Sequence, residues 1–161
     1  METPDILPIR IADHYEVMSH MMRALHEHEY ILFDKTASWD DIEESYMRHC
    51  ITMQEECDGL CLVAYVEQKP VGFIFGYIEE QDDSRIEVYK DRELYVSDGF
   101  VDKEYRRHGI YSRLNKAIEE HYIGKGVKRI VRFTRVNNTR MREFMEKEGY
   151  AITRLLYEKW L

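Results

Sequence analysis

The order and period of the apolar residues predict a single mixed α/β domain spanning residues 1–161. Three observations carry that expectation. Helical stripes of apolar residues alternate with short runs of β-branched and aromatic residues. The breaks fall at turn signals: Gln68-Lys69-Pro70, Gly124-Lys125-Gly126 and Gly149. No repeat, linker or low-complexity stretch divides the chain, and 161 residues suit one core.

The elements follow in order. Leu7–Ile11 reads as a first strand. A helix from about His14 to His28 carries Val17, Met21, Met22 and Leu25 on one stripe. Ser38 or Asp40 can cap a second helix to about Glu56, with Ile42, Tyr46, Cys50 and Met53 turned inward. Gly59–Glu67 and Val71–Glu79 form a hairpin. Gln81–Asp91 is a charged connection, and Glu93–Val101 is a longer strand. In regular alternation, Glu93, Tyr95 and Ser97 share one face of it, and Leu94, Val96 and Asp98 the other. A basic turn, 104–110, precedes a helix over Tyr111–Ile123 with Leu114, Ala117 and Ile118 inside. Lys128–Val136 is strand-like, Thr139–Glu148 helical, and Ile152–Trp160 reads as a closing strand.

Composition narrows the function. The chain is 44% hydrophobic and 34% charged, as globular domains are. Its net charge of -8 argues against a general nucleic-acid binder; an acidic surface serves solubility and also favours a cationic partner such as an amine. Cys50, Cys57 and Cys61 are an odd set, and no signal peptide precedes them, so a reducing cytoplasm is expected. Cys57 and Cys61 lack the second ligand pair of a zinc site, so no metal is expected. No apolar run approaches the roughly 20 residues that span a bilayer.

The stretch Asp98-Gly99-Phe100-Val101-Asp102-Lys103-Glu104-Tyr105-Arg106-Arg107-His108-Gly109-Ile110-Tyr111 runs from a strand through a basic turn into a helix. The first turn of a helix leaves amides without partners, and its dipole favours anions. Gly109 allows close backbone approach, and Arg106 and Arg107 add charge. Such a loop suits a pyrophosphate, although a basic strand-to-helix turn has the same look.

Glu104 to Tyr111 resembles the acyl-CoA signature loop, Gln/Arg-x-x-Gly-x-Gly/Ala, of the GCN5-related N-acetyltransferase (GNAT) family. Arg106 and Gly109 match, while Tyr111 replaces the final small residue. Asn138 to Tyr150 resembles the family's Asn-x-x-Ala-x-x-Phe-Tyr-Glu-Lys-x-Gly-Phe segment. The resemblance implies a GNAT fold: a mostly antiparallel sheet flanked by helices and splayed between its fourth and fifth strands. It implies acetyl-CoA as co-substrate. Backbone of Phe100 and Val101 would pair with the pantetheine arm. Arg106 and the amides of Arg107, His108, Gly109, Ile110, Tyr111 and Ser112 would hold the pyrophosphate, and Asn138 would lie near the cofactor.

The same resemblance implies direct attack by an amine, with a strand amide of Phe100 or Val101 polarising the carbonyl. The proton-donating tyrosine of many relatives is replaced here by Met145, so Tyr111, Tyr150 or water would take its place. Asp98 is the candidate base or amine binder. Glu27, Glu29 and Tyr30, between the first two helices, are candidates for binding a small cationic or amino-acid-like acceptor. Peptide acetylation and non-catalytic acyl-CoA sensing are the alternatives. Many relatives pair through a terminal strand, so a homodimer is expected, with neither nucleic acid nor membrane as a partner.

Overall fold

The computed structural model describes residues 3–81, 84–88 and 91–161. Asp82, Asp83, Tyr89 and Lys90, within the charged connection, lie outside them. The chain forms β1 (Asp5–Ile9), α1 (Tyr15–Leu32), α2 (Trp39–Glu56), β2 (Leu60–Val66), β3 (Lys69–Glu79), β4 (Glu93–Val101), α3 (Ile110–Gly124), β5 (Ile130–Val131) and α4 (Thr139–Lys147). Short 3-10 turns at Ala12–His14 and Lys103–Tyr105 join some of them.

The five strands lie in sequence order. The first four are antiparallel, and β5 runs parallel to β4. The sheet is apolar on both faces because helices cover both. On one face Leu114, Ile118 and Tyr122 of α3 pack against Leu62, Ile74, Leu94 and Val96. On the other, Met18, Met21 and Met22 of α1 and Met47 and Cys50 of α2 pack against Val63, Phe73 and Phe75. Burying each such side chain stabilises the fold by about 1.5–3 kcal/mol. The Met18–Met22–Leu25 spacing puts one stripe of α1 on the sheet, one residue out of phase with Val17, which stays partly exposed.

A bulge divides β4. Phe75 of β3 faces Asp98 while its neighbour Gly76 faces Val96, so Ser97 is an extra residue without a partner. The side-chain alternation therefore inverts at Ser97. Leu94 and Val96 point to α3, but Asp98 and Phe100 point to the α1–α2 side. This corrects the expectation that Asp98 shares a face with Leu94 and Val96.

β5 is also shorter than its sequence suggests. Only Ile130 and Val131 pair, with Leu94 and Tyr95. Past that point the chain leaves the sheet for α1: Asn137 Nδ2 donates to Leu32 O at 2.8 Å, and the Arg135 guanidinium lies 3.8 Å from the Phe33 ring centre. The sheet thus opens beyond Tyr95. The closing strand expected over Ile152–Trp160 is absent. Its residues have strand propensity, but they pair with none of the five strands. Instead the segment is pinned at two points, by Arg154 donating to Glu87 and by Trp160 against Phe33 at 6.2 Å. Among the described residues, no helix is long and apolar enough to cross a membrane.

Candidate active site

Because β5 diverges, one edge of β4 is left open from Val96 to Val101. The ladder fixes which groups face that opening. Asp102 donates to Val71 O at 2.9 Å. By antiparallel alternation, Phe100 and Asp98 also turn their amides to β3, while Gly99 and Val101 turn theirs outward. The Val101 carbonyl fits that direction, since it accepts from Arg106 Nε at 2.8 Å. Of the expected pair Phe100 and Val101, then, only Val101 offers an open amide. Gly99, not singled out from the sequence, offers the other.

The loop after β4 is shaped for an anion. Arg107 (φ 68°) and Gly109 (φ 73°) both adopt left-handed backbone, and α3 starts at once from the buried Ile110. Such alternation gathers successive N–H groups into a concave nest. Among the described residues, no acceptor is bonded to the amides of residues 107–112. A Cβ at Gly109 would meet nothing within 4 Å, so the loop stands open. Arg106 also lies 5.7 Å from the Phe100 ring centre. Burial and the nearby Arg140 both hold its pKa below the usual arginine value. Neither arginine has an ion-pair partner among the described residues. Two unpaired guanidiniums repelling one another beside orphan amides fit a pyrophosphate well.

The open edge and this loop border a cleft of about 880 Å³. Asp98, Phe100, Val101, Arg106, Tyr111, Asn138 and Glu29 all line it. Asn138 also caps α4, accepting from the Met141 amide at 3.4 Å. Arg107, His108 and Gly109 form the exposed loop at its end, and Ser112 is exposed in the first turn of α3. Glu27 and Tyr30 line an adjoining pocket of about 320 Å³, and His26 and Trp39 are walls of both spaces. Tyr150 is not part of the lining, and its hydroxyl donates to Glu119. Met145 lines the cleft.

Asp98 is the buried acid of the site, with 6% of its surface exposed. Desolvation raises its pKa above the usual carboxylate range. Hydrogen bonds from Ser97 Oγ at 2.6 Å and from the Tyr46 hydroxyl, and the charge of His49, oppose that rise in part. Tyr46 is in turn pushed well above the ordinary tyrosine value by burial and by Asp98. Sequence reading placed Tyr46 only as a buried helix residue, because 52 positions separate it from Asp98. Arg132 was likewise missed. It lines the cleft and donates to the Tyr111 hydroxyl and, at 2.5 Å, to Asn115 Oδ1.

A model of the acetyltransferase (GNAT) family matches residues 19–150. No curated protein matches the sequence. Solved structures share the fold at low identity. A Pyrococcus furiosus protein assigned as an acetyl transferase has a TM-score of 0.77 at 23% identity, over 99% of this chain and 100% of its own. The aminoglycoside acetyltransferase AAC(6')-Iy, in complex with a CoA–acetylneamine bisubstrate analogue, has a TM-score of 0.70 at 16% identity, over 99% of each chain. An aminoglycoside acetyltransferase from an uncultured soil metagenomic sample, in complex with sisomicin, has a TM-score of 0.70 at 19% identity, over 98% of this chain and 95% of its own.

Proposed function

The chain belongs to the GNAT family of acyl-CoA-dependent acetyltransferases, and we propose that it moves the acetyl group of acetyl-CoA directly to a primary amine of a small cationic or amino-acid-like acceptor. The observation that carries this reading is Asp98, a buried carboxylate lining a cleft that also takes in the anion loop's Arg106 and, from α1, Glu29. The orphan amides of residues 107–112, with Arg106, hold the pyrophosphate. The outward amides of Gly99 and Val101 pair with the pantetheine arm and polarise the carbonyl. Asp98 accepts the proton that the attacking amine loses. Its raised pKa makes it a better base than an exposed aspartate.

Glu29 in the cleft and Glu27 in the adjoining pocket, with Tyr30 and Trp39, favour a cation there. The complexes of similar folds with a neamine analogue and with sisomicin, both polyamino sugars, support a multiply charged acceptor. The free thiols of Cys50, Cys57 and Cys61 suit a reducing, cytoplasmic setting.

Thiol release from acetyl-CoA against polyamines, amino acids, aminoglycosides and short peptides tests this reading. Turnover with a small amine is expected. Turnover confined to peptides would move the acceptor to that class. Tight acetyl-CoA binding without turnover on any amine would replace the reading with an acyl-CoA sensor, the alternative that Met145 favours.

The reading includes a homodimer. Ile152, Leu155, Leu156, Tyr157 and Trp160 are all more than 60% exposed in a segment that pairs with no strand, Leu155 and Leu156 also lining the cleft, and β5 ends the sheet. A second copy can cover both. Light scattering at micromolar concentration is expected to give twice the monomer mass of 19.5 kDa.

A further inference from the structure

Acetyl transfer ends with a thiolate leaving, and the tyrosine that would protonate it in many relatives is Met145 here. A thioether carries no proton to give. Two other phenols near the cleft, and the Ser97 hydroxyl, are engaged with carboxylates. Tyr46 gives its proton to Asp98, and Tyr150 gives its own to Glu119. His26 is engaged with the Ala37 carbonyl at 2.6 Å, and His28 stands on α1, on the acceptor side.

Tyr111 differs from all of these. Its oxygen accepts from Arg132, and among the described residues no acceptor takes its proton. The hydroxyl lies against β4: a Cβ at Gly99 would sit 2.5 Å from it. Gly99 is the residue whose amide opens to the cleft, and it follows Asp98 directly. Because of the Ser97 bulge, Asp98 projects to the α1–α2 side while Tyr111 approaches from the α3 side. An acid and a base thus bracket one short piece of open strand.

Arg132 is itself held from behind. Asn115 accepts from it at 2.5 Å and donates to Glu119 at 2.9 Å, and Tyr150 donates to the same carboxylate. The guanidinium lies 5.7 Å from the ring centres of both Tyr111 and Tyr150. Asn115 is fully buried, so the chain of contacts is fixed. Arg132, from beyond β5, contacts the Tyr111 hydroxyl, the charge of Asp98 acts on it from across β4, and the apolar Phe144 ring of α4 lies 5.0 Å from the Tyr111 ring centre. Burial and Asp98 keep the phenol protonated, while Arg132 favours the phenolate.

We infer that Tyr111 is the catalytic acid that protonates the departing CoA sulfur, and that Arg132 is the positioning residue that aims its hydroxyl. This rests on the acetyl-transfer reading above. As the C–S bond breaks, its electron pair goes to sulfur, and the Tyr111 proton follows to give the thiol. The phenolate left behind is held by Arg132 and regains a proton from water. The amine gives one proton to Asp98, so one proton is lost and one delivered per turnover. Tyr150 serves as the far anchor of Arg132.

The test uses Tyr111→Phe, Arg132→Met and Arg132→Lys, with melting temperature recorded for each. One readout needs no amine: titration of the thiolate absorbance of enzyme-bound CoA. A hydroxyl donating to the thiolate stabilises it. The midpoint is therefore expected to move up in Tyr111→Phe and Arg132→Met and to return part of the way in Arg132→Lys. The second readout is turnover. In Tyr111→Phe, kcat is expected to fall about a hundredfold with little change in KM for acetyl-CoA, and the alkaline limb of the pH profile should vanish. The double variant Tyr111→Phe/Arg132→Met should be no worse than Tyr111→Phe alone. A Tyr111→Phe protein that binds CoA with an unchanged thiol midpoint and turns over like the parent overturns the inference and leaves the acetyl-transfer reading intact. A shifted midpoint without turnover of any amine, by the parent included, overturns the acetyl-transfer reading and with it the role of Tyr111 as acid, leaving only its contact with the CoA sulfur.

Discussion

The two halves of the cleft are built on different principles. The cofactor half is made of main chain: outward amides of Gly99 and Val101, orphan amides after Arg106, and left-handed turns at Arg107 and Gly109. The acceptor half is made of side chains drawn from separate elements: Glu27, Glu29 and Tyr30 from α1, Trp39 and Tyr46 from α2, Asp98 from β4. A backbone site depends on local conformation, so a short motif encodes it. A side-chain site depends on tertiary assembly, so substitutions should change what it recognises without disturbing the cofactor.

The sharpest break in this comparison comes at Asp98, which joins the halves. Asp98→Asn is expected to lower kcat/KM by about a thousandfold, measured with the best acceptor. Stability should move the opposite way. A carboxyl with a raised folded pKa contributes most when protonated, and that contribution is lost as pH rises through the folded value. The amide that replaces it cannot ionise, so thermal unfolding of the variant at neutral pH should be no easier than in the parent, and the difference should shrink in acid. In the parent, kcat/KM should rise with pH through a midpoint above the ordinary aspartate value of about 4.

Gly109→Ala probes the backbone half. Left-handed conformation costs a side chain about 1–2 kcal/mol, and the new Cβ points into open space that the pyrophosphate would use. Chemical denaturation should record that loss, and KM for acetyl-CoA should rise about tenfold with acceptor KM unchanged. Arg140→Gln should weaken CoA binding about fivefold by calorimetry, because it removes one of the unpaired charges near the loop. The smallest effect belongs to Glu27→Gln and Glu29→Gln. Each is expected to raise acceptor KM about two- to fivefold, more at low salt, and to leave acetyl-CoA KM alone. A change in acetyl-CoA KM here would mean that the halves are not separable.

The same contrast explains what the sequence disclosed. Strand and helix order was legible because apolar period and turn residues are local. The phosphate loop was legible because Arg106 to Gly109 is contiguous. The Ser97 bulge was not, since nothing in Tyr95-Val96-Ser97-Asp98 breaks alternation; only the facing Phe75–Gly76 pair defines the extra residue. Residues 132–136 and 152–160 have strand propensity, but a strand also needs a neighbour, and contacts at Leu32, Phe33 and Glu87 took these segments elsewhere. Tyr46 and Arg132 act through partners far along the chain, which no local pattern records.

Trp39 offers one more consequence. The chain has two tryptophans. Trp39 is buried between His26 and Tyr46, in a wall common to both pockets, while Trp160 is exposed beside Phe33 near the chain end. The protein therefore carries two intrinsic optical probes in different surroundings. Emission from the buried indole reports filling of the acceptor pocket, and emission from the exposed one reports covering of the C-terminal segment. With Trp160→Phe and Trp39→Phe to separate them, acceptor capture and chain association become two colours of one fluorescence titration.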